Sequence, residues 1–87
     1  MNIYEIAKRA VDTSSAQKLR HRSGNQYDCH TDVWTGNNRG WTLLDHFTAS
    51  AIVQVYEALN PFNQERYINL PLQRLISITW SCVGRKG

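Results

Sequence analysis

Residues 48–59 read Thr-Ala-Ser-Ala-Ile-Val-Gln-Val-Tyr-Glu-Ala-Leu, and the fold turns on how they are placed. On a helical wheel only Ser50, Gln54 and Glu57 gather into a polar face, about 60° wide. Ala49, Ala51, Ile52, Val53, Val55, Tyr56, Ala58 and Leu59 wrap round the remainder. A helix lying on a surface shows a much wider polar face. Thr48–Leu59 is therefore expected to be the central, buried helix, with Ser50, Gln54 and Glu57 its only positions open to solvent or a partner. An 87-residue chain has few elements with which to surround such a helix. The alternative is a homodimer seam along part of its apolar girth.

Working outward, Asp45 can cap this helix, which then begins at His46 or Phe47. Asn60-Pro61 ends it and starts another, because Asn caps well and Pro favours the first helical position. The spacing predicts a short helix over Phe62–Ile68, with Phe62 and either Tyr67 or Ile68 turned inward. Leu70-Pro71 repeats the device and launches Pro71–Val83. There Leu72, Leu75, Ile76, Thr79, Trp80 and Val83 follow helical spacing, flanked by Ile78 and Cys82. Gln73, Arg74, Ser77 and Ser81 make the exposed side, Trp80 belongs to the core, and Cys82 is a packed, inert thiol. Gly84 suits a C-cap, and Arg85-Lys86 complements the helix dipole. At the other end, Asn2–Val11 reads as an amphipathic helix capped by Asn2 and stopped by the Asp12–Ser15 run.

Between the helical halves the period changes to two. In Gln26–Thr35, Tyr27, Cys29, Thr31 and Val33 alternate with Gln26, Asp28, His30 and Asp32, the pattern of a half-buried strand. Trp34 falls on the polar phase. Ser23-Gly24-Asn25 is a turn ahead of this strand, and residues 36–40 (Gly-Asn-Asn-Arg-Gly) are a stronger one behind it. Trp41–Leu44 is a short return strand. Ala16–Arg22 is a further strand, although Gln17, Lys18 and Arg20 suit one poorly; a short helix capped by Ser15 is its alternative. The expected fold is one α+β domain over residues 1–87. It has an N-terminal helix, a small two- or three-stranded antiparallel meander, and three C-terminal helices packed round Thr48–Leu59. The runner-up is a mainly α domain with residues 16–44 irregular.

The composition is ordinary for a globular chain, with 41% hydrophobic and 20% charged residues, which argues against wholesale disorder. The net charge of +3 allows acidic partners without demanding nucleic acid. Met1–Ala10 is amphipathic and carries Glu5, Lys8 and Arg9, unlike a signal peptide. Cys29 and Cys82 are accordingly read as reduced thiols of a cytoplasmic protein. No apolar run approaches the roughly 18 residues of a membrane span.

Several constellations come into question as carriers of chemistry. Asp28, His30 and Asp32 share one strand face at roughly 7 Å spacing; this is too unspecific for a metal site, and a solvated strand face explains it. Lys18, Arg20 and Arg22 project together from the preceding strand, where the turn sets Arg20 against Asp28 and Lys18 near His30. Such pairs explain the charges structurally. They also leave, with His21 close by and Arg39 in the later turn, a basic group fit for phosphates or an acidic protein surface. Trp34 and Trp41 flank the Gly/Asn turn and could cap the core by stacking. As Trp and Arg dominate binding hot spots, one of them, Trp34 for preference, is otherwise an exposed anchor. Cys29 and His30 point to opposite faces and form no nucleophilic dyad. A helix-turn-helix reading of Thr48–Leu59 and Pro71–Val83 fails because its recognition helix would present Leu and Ile to bases.

Within Asp45–Val83, the runs Phe-Thr-Ala-Ser-Ala-Ile-Val and Leu-Pro-Leu-Gln-Arg-Leu look like those of short bacterial proteins from phages and plasmids. The likeness is one of style and covers less than half the chain. Proteins of this kind include anti-CRISPR and other anti-defence inhibitors, which commonly occlude a surface on a host complex. The resemblance thus implies a non-enzymatic, cofactor-free binder of a host protein or protein–nucleic acid complex. The resemblance carries over no position; read from the residues themselves, the contact surface is expected on the meander face at Lys18, Arg20, Arg22, Trp34, Arg39 and Trp41. The alternative is a nucleic-acid-binding accessory protein that uses the same basic face.

Overall fold

The computed structural model describes residues 1–31, 33 and 39–83. The elements are helix α1 (Ile3–Thr13), strands β1 (Gln17–Ser23), β2 (Gln26–His30) and β3 (Thr42–Leu44), and helices α2 (His46–Ala58), α3 (Pro61–Ile68) and α4 (Leu72–Val83). The protein is α+β, with a three-stranded antiparallel sheet.

Local signals set the helix starts. Asn2 accepts from the Glu5 N–H, and the Glu5 carboxylate accepts from the Asn2 N–H, a reciprocal cap on α1. Asp45 accepts from the Thr48 N–H at 2.7 Å, and Asn60 from the Asn63 N–H at 2.9 Å. Pro61 takes the first turn of α3, as expected. Pro71 precedes α4, and its carbonyl accepts the Leu75 N–H. α1 runs through Asp12 to Thr13, past the expected stop, and ends at Ser14 with φ +51°. The Thr13 hydroxyl bonds back to the Arg9 carbonyl, so a side chain expected to compete with the helix instead fits its last turn.

The sheet departs from a meander. Its order is β2-β1-β3, so the return strand pairs with β1 rather than with β2. Gln17 lies opposite Leu44, Lys18 opposite Leu43 and Leu19 opposite Thr42. This pairing places Gln17, Leu19 and Leu44 on one deeply buried face. The β1–β2 hairpin has the expected register, with Lys18 opposite His30 and Arg20 opposite Asp28. Gly24 turns it at φ +57°, a left-handed conformation that favours glycine. An extra residue in β1 between His21 and Ser23 shifts the register there. β2 ends at His30, short of the expected Thr35, and residues 32 and 34–38 lie outside the described residues.

The core joins Ile3, Ile6, Ala7 and Ala10 of α1 to Leu19, Tyr27 and Leu44 of the sheet, Ala49 and Ile52 of α2, and Tyr67, Ile68 and Leu75 beyond. α2 packs most extensively along α1, and also touches α4 and α3. Its burial is narrower than the wheel implied, confined to Ala49, Ala51 and Ile52, while Phe47 is 78% exposed. Tyr4 stacks on Tyr56 and donates to the Glu57 carboxylate at 2.7 Å. That bond pushes the Tyr4 phenol up to about 12.

Three expectations of burial fail. Trp80 and Phe62 are exposed, and so is the Cys82 thiol. In α4 the inward line is Leu75 and Thr79, with Leu72, Ile76, Ile78 and Val83 half-buried. That line turns Trp80 and Cys82 outward. In α3 the carboxyl end faces the core through Tyr67 and Ile68, so Phe62, at the opposite end, stays in solvent beside Arg66. The Tyr67 hydroxyl donates to Thr79 Oγ1, which donates to the Leu75 carbonyl, so the buried hydroxyls form a satisfied chain. The expected Gly84 cap and Arg85-Lys86 lie outside the described residues.

Candidate binding face

Alternation along β1 divides the sheet into two faces. Gln17 and Leu19 turn into the core, whereas Lys18, Arg20 and Arg22 take the outer face with Asp28 and His30 of β2 and Leu43 of β3. Asp28 is the electrostatic centre. Its Oδ2 lies 3.1 Å from an Arg20 nitrogen and its Oδ1 3.3 Å from an Arg22 nitrogen. The hydrogen bond from Arg20 and the charge of Arg22 hold the Asp28 carboxyl below its ordinary range. The ion pairs are open to water, with the two arginine side chains 51% and 67% exposed. They therefore orient the side chains more than they stabilise the fold.

Trp41 organises the other half of the face. It lies just before β3 rather than inside it. Its ring sits 4.5 Å from the Arg20 guanidinium carbon and 5.2 Å from Lys18 Nζ, measured to the centroid. His30 meets the same ring edge-on. Both cations are within the range of attraction to an indole face. Lys18, expected as a projecting charge, is only 9% exposed. Its stem is covered where Val33, Trp41, Thr42 and Leu43 line a small cleft with it. Leu43 itself is 61% exposed and adds an apolar contact beside the charges.

Of the six residues expected to form a contact surface, the structure brings Lys18, Arg20, Arg22 and Trp41 together. Arg39 is exposed in the turn before Trp41. Trp34 and its expected stacking on Trp41 lie outside the described residues. The strand phase favours Trp34 as the anchor, yet it is Trp41 that meets two cations at once. The outward phase of Lys18 and Arg20 was visible, but the β1–β3 pairing that sets Trp41 over them was not. Leu43 was also missed, although pairing it with Lys18 would have placed it outward.

Asp28 and His30 share the outer face, but the Asp28 carboxylate is taken by two guanidiniums, and Asp32 lies outside the described residues. Among the described residues no three His, Cys, Asp or Glu side chains cluster to hold a metal ion. Cys29 turns toward the core and donates to Gln17 Oε1 at 3.3 Å. Burial pushes its thiol up, away from the reactive thiolate. No helix of the described residues is long and apolar enough to cross a membrane. Comparison with protein-family models, curated proteins and solved structures finds no match.

Proposed function

We propose that this protein is a non-enzymatic binding module that docks the outer face of its sheet on an acidic surface of a partner protein. A host defence complex, as the anti-CRISPR resemblance implies, is the partner class. The observation that carries this reading is the shared posture of Arg20 and Trp41. Arg20 is held at once by Asp28 and by the Trp41 ring, so a guanidinium and an indole are presented together in fixed orientation. Fixing such side chains before binding reduces the entropy lost at the interface. Arg and Trp are also the residue types in which binding energy concentrates.

The placement of Asp28 favours protein over nucleic acid. A phosphate backbone tracking Lys18, Arg20 and Arg22 would meet a carboxylate in the middle of its path. A protein surface can match mixed charge. The test is capture of the partner from host lysate by wild-type protein and by the double variant Arg20→Glu/Arg39→Glu, with nuclease-treated lysate in parallel. The expected result is a nuclease-resistant partner lost by the variant. Undiminished capture by the variant overturns the reading. Capture abolished by nuclease, together with naked DNA or RNA binding that falls steeply with salt, assigns the face to nucleic acid instead.

A further inference from the structure

We infer that the cleft between the β1–β2 hairpin and the α3–α4 turn binds a small aromatic carboxylate. The Tyr27 hydroxyl donates to the carboxylate, and Leu19, Leu70, Pro71 and Leu72 pack on the ring. The cleft measures about 430 Å³, within the roughly 300–1,000 Å³ of small-molecule sites. Every residue that lines it is among the described ones, and Gly40, on the chain leading into β3, is one of its walls. Gly24 lines it as well. At neither glycine does an atom of a non-adjacent residue come within 4 Å of where a side chain would begin, so both walls leave room.

Tyr27 is the residue that points to a ligand. Its side chain lines the cleft and is only 4% exposed, yet its hydroxyl has no hydrogen-bond partner among the described residues. Tyr67, buried to the same degree, bonds Thr79 through its own hydroxyl. Among the described residues, the partnerless side-chain atom sealed from solvent is Gln17 Nε2. The Tyr27 hydroxyl therefore keeps contact with open space, and the cleft is the space that Tyr27 lines. A buried hydroxyl without a partner is costly, and an acceptor seated in the cleft completes it. Burial pushes the phenol up, so it is protonated at neutral pH and donates.

Charge and shape narrow the acceptor. Arg20 lines the cleft and no Asp or Glu among the described residues does, which favours an anion over a cation. The His21 ring meets the Tyr27 ring edge-on, and both line the cleft. His21 Nε2 donates to the Gly24 carbonyl at 2.9 Å, which holds that ring in place. Two rings facing an aliphatic wall at residues 70–72 suit a flat aromatic body.

The site does not depend on the acidic-partner reading, because Tyr27 packs on the inner side of the sheet. The probes are benzoate, naphthoate and phenylacetate, followed by amide chemical shifts of the ¹⁵N-labelled protein, with naphthylmethylamine as the cationic control. The expected result is saturable binding of at least one acid, with shifts concentrated at Leu19, Arg20, His21, Tyr27, Leu70 and Leu72, and none by the amine. Tyr27→Phe keeps the ring and removes the hydroxyl. It should weaken the bound acid about tenfold or more. It should also leave the urea midpoint of the free protein at or above wild type, since the hydroxyl makes no bond within the fold. No binding by any acid up to millimolar concentration, shifts centred elsewhere on the chain, an amine bound as tightly as the acid, or unchanged affinity in Tyr27→Phe overturns the proposal. A clearly lower midpoint in Tyr27→Phe also overturns it, because the hydroxyl would then have its partner inside the fold.

Discussion

Leu19 and Arg20 are adjacent in β1. Leu19 is 1% exposed, while half of the Arg20 side chain meets water. One step along the strand reverses the face, and the two faces meet different surroundings. The inner face is committed to the fold, since Leu19, Tyr27 and Leu44 pack with α1 and α2 and any loss of volume there leaves a void. Apart from the covered stem of Lys18 and the half-buried Trp41, the outer face is held together by ion pairs and ring contacts that water screens. A charged and aromatic surface that adds little to stability is consistent with the proposed binding role. The difference between the faces can be pushed on from either side.

The largest effect belongs to the inner face. Leu19→Ala should destabilise the protein by about 2–5 kcal/mol, read as a lower urea midpoint. A loss below about 1 kcal/mol would mean that this face is not a packed core.

Gln17 should behave in the opposite sense. It is fully buried, its Oε1 accepts from Cys29 and Thr31, and its Nε2 has no hydrogen-bond partner among the described residues. If no further residue satisfies this amide, replacement by Leu removes a buried polar group along with its bonds and should raise stability by about 1 kcal/mol, measured by the same unfolding curve. A marked loss would show that the amide has a partner and that the inner face has a polar requirement.

On the outer face, Arg20→Ala removes an exposed ion pair and a ring contact and should change stability by about 1 kcal/mol or less. The smallest effect is electrostatic. The folded-state pKa of Asp28 is lowered, so its pairing contributes above the ordinary carboxylate range and is lost as pH falls through the lowered value. An NMR titration of its carboxyl should show a midpoint below 3.8, the ordinary value, and Arg20→Ala should move it back up. An unmoved midpoint would show that Arg20 does not hold Asp28.

Features encoded within a few residues were legible in the chain. Asn2, Asp45 and Asn60-Pro61 fix helix starts through bonds that span three residues, and the Ser23–Asn25 turn was enough to set Arg20 against Asp28. Features that depend on distant segments were not. Nothing local says that Leu44 must lie opposite Gln17, and only that pairing makes β1 the middle strand and puts Trp41 over Lys18 and Arg20. Helices with apolar residues on most sides gave poor directions as well. α4 could have buried Trp80 as readily as Thr79 until the positions of α2 and Tyr67 chose between them. The basic group of the candidate site was therefore visible from strand alternation, whereas its aromatic centre required the sheet order.

The outer face is proposed to bind a partner while contributing little to folding. Its most direct test measures both properties in one variant, Arg20→Glu/Arg39→Glu, by urea unfolding and by partner capture from nuclease-treated lysate. The expected result is an unfolding midpoint close to wild type and loss of the captured partner. A variant that retains the partner, or that loses it only because it has unfolded, contradicts this reading.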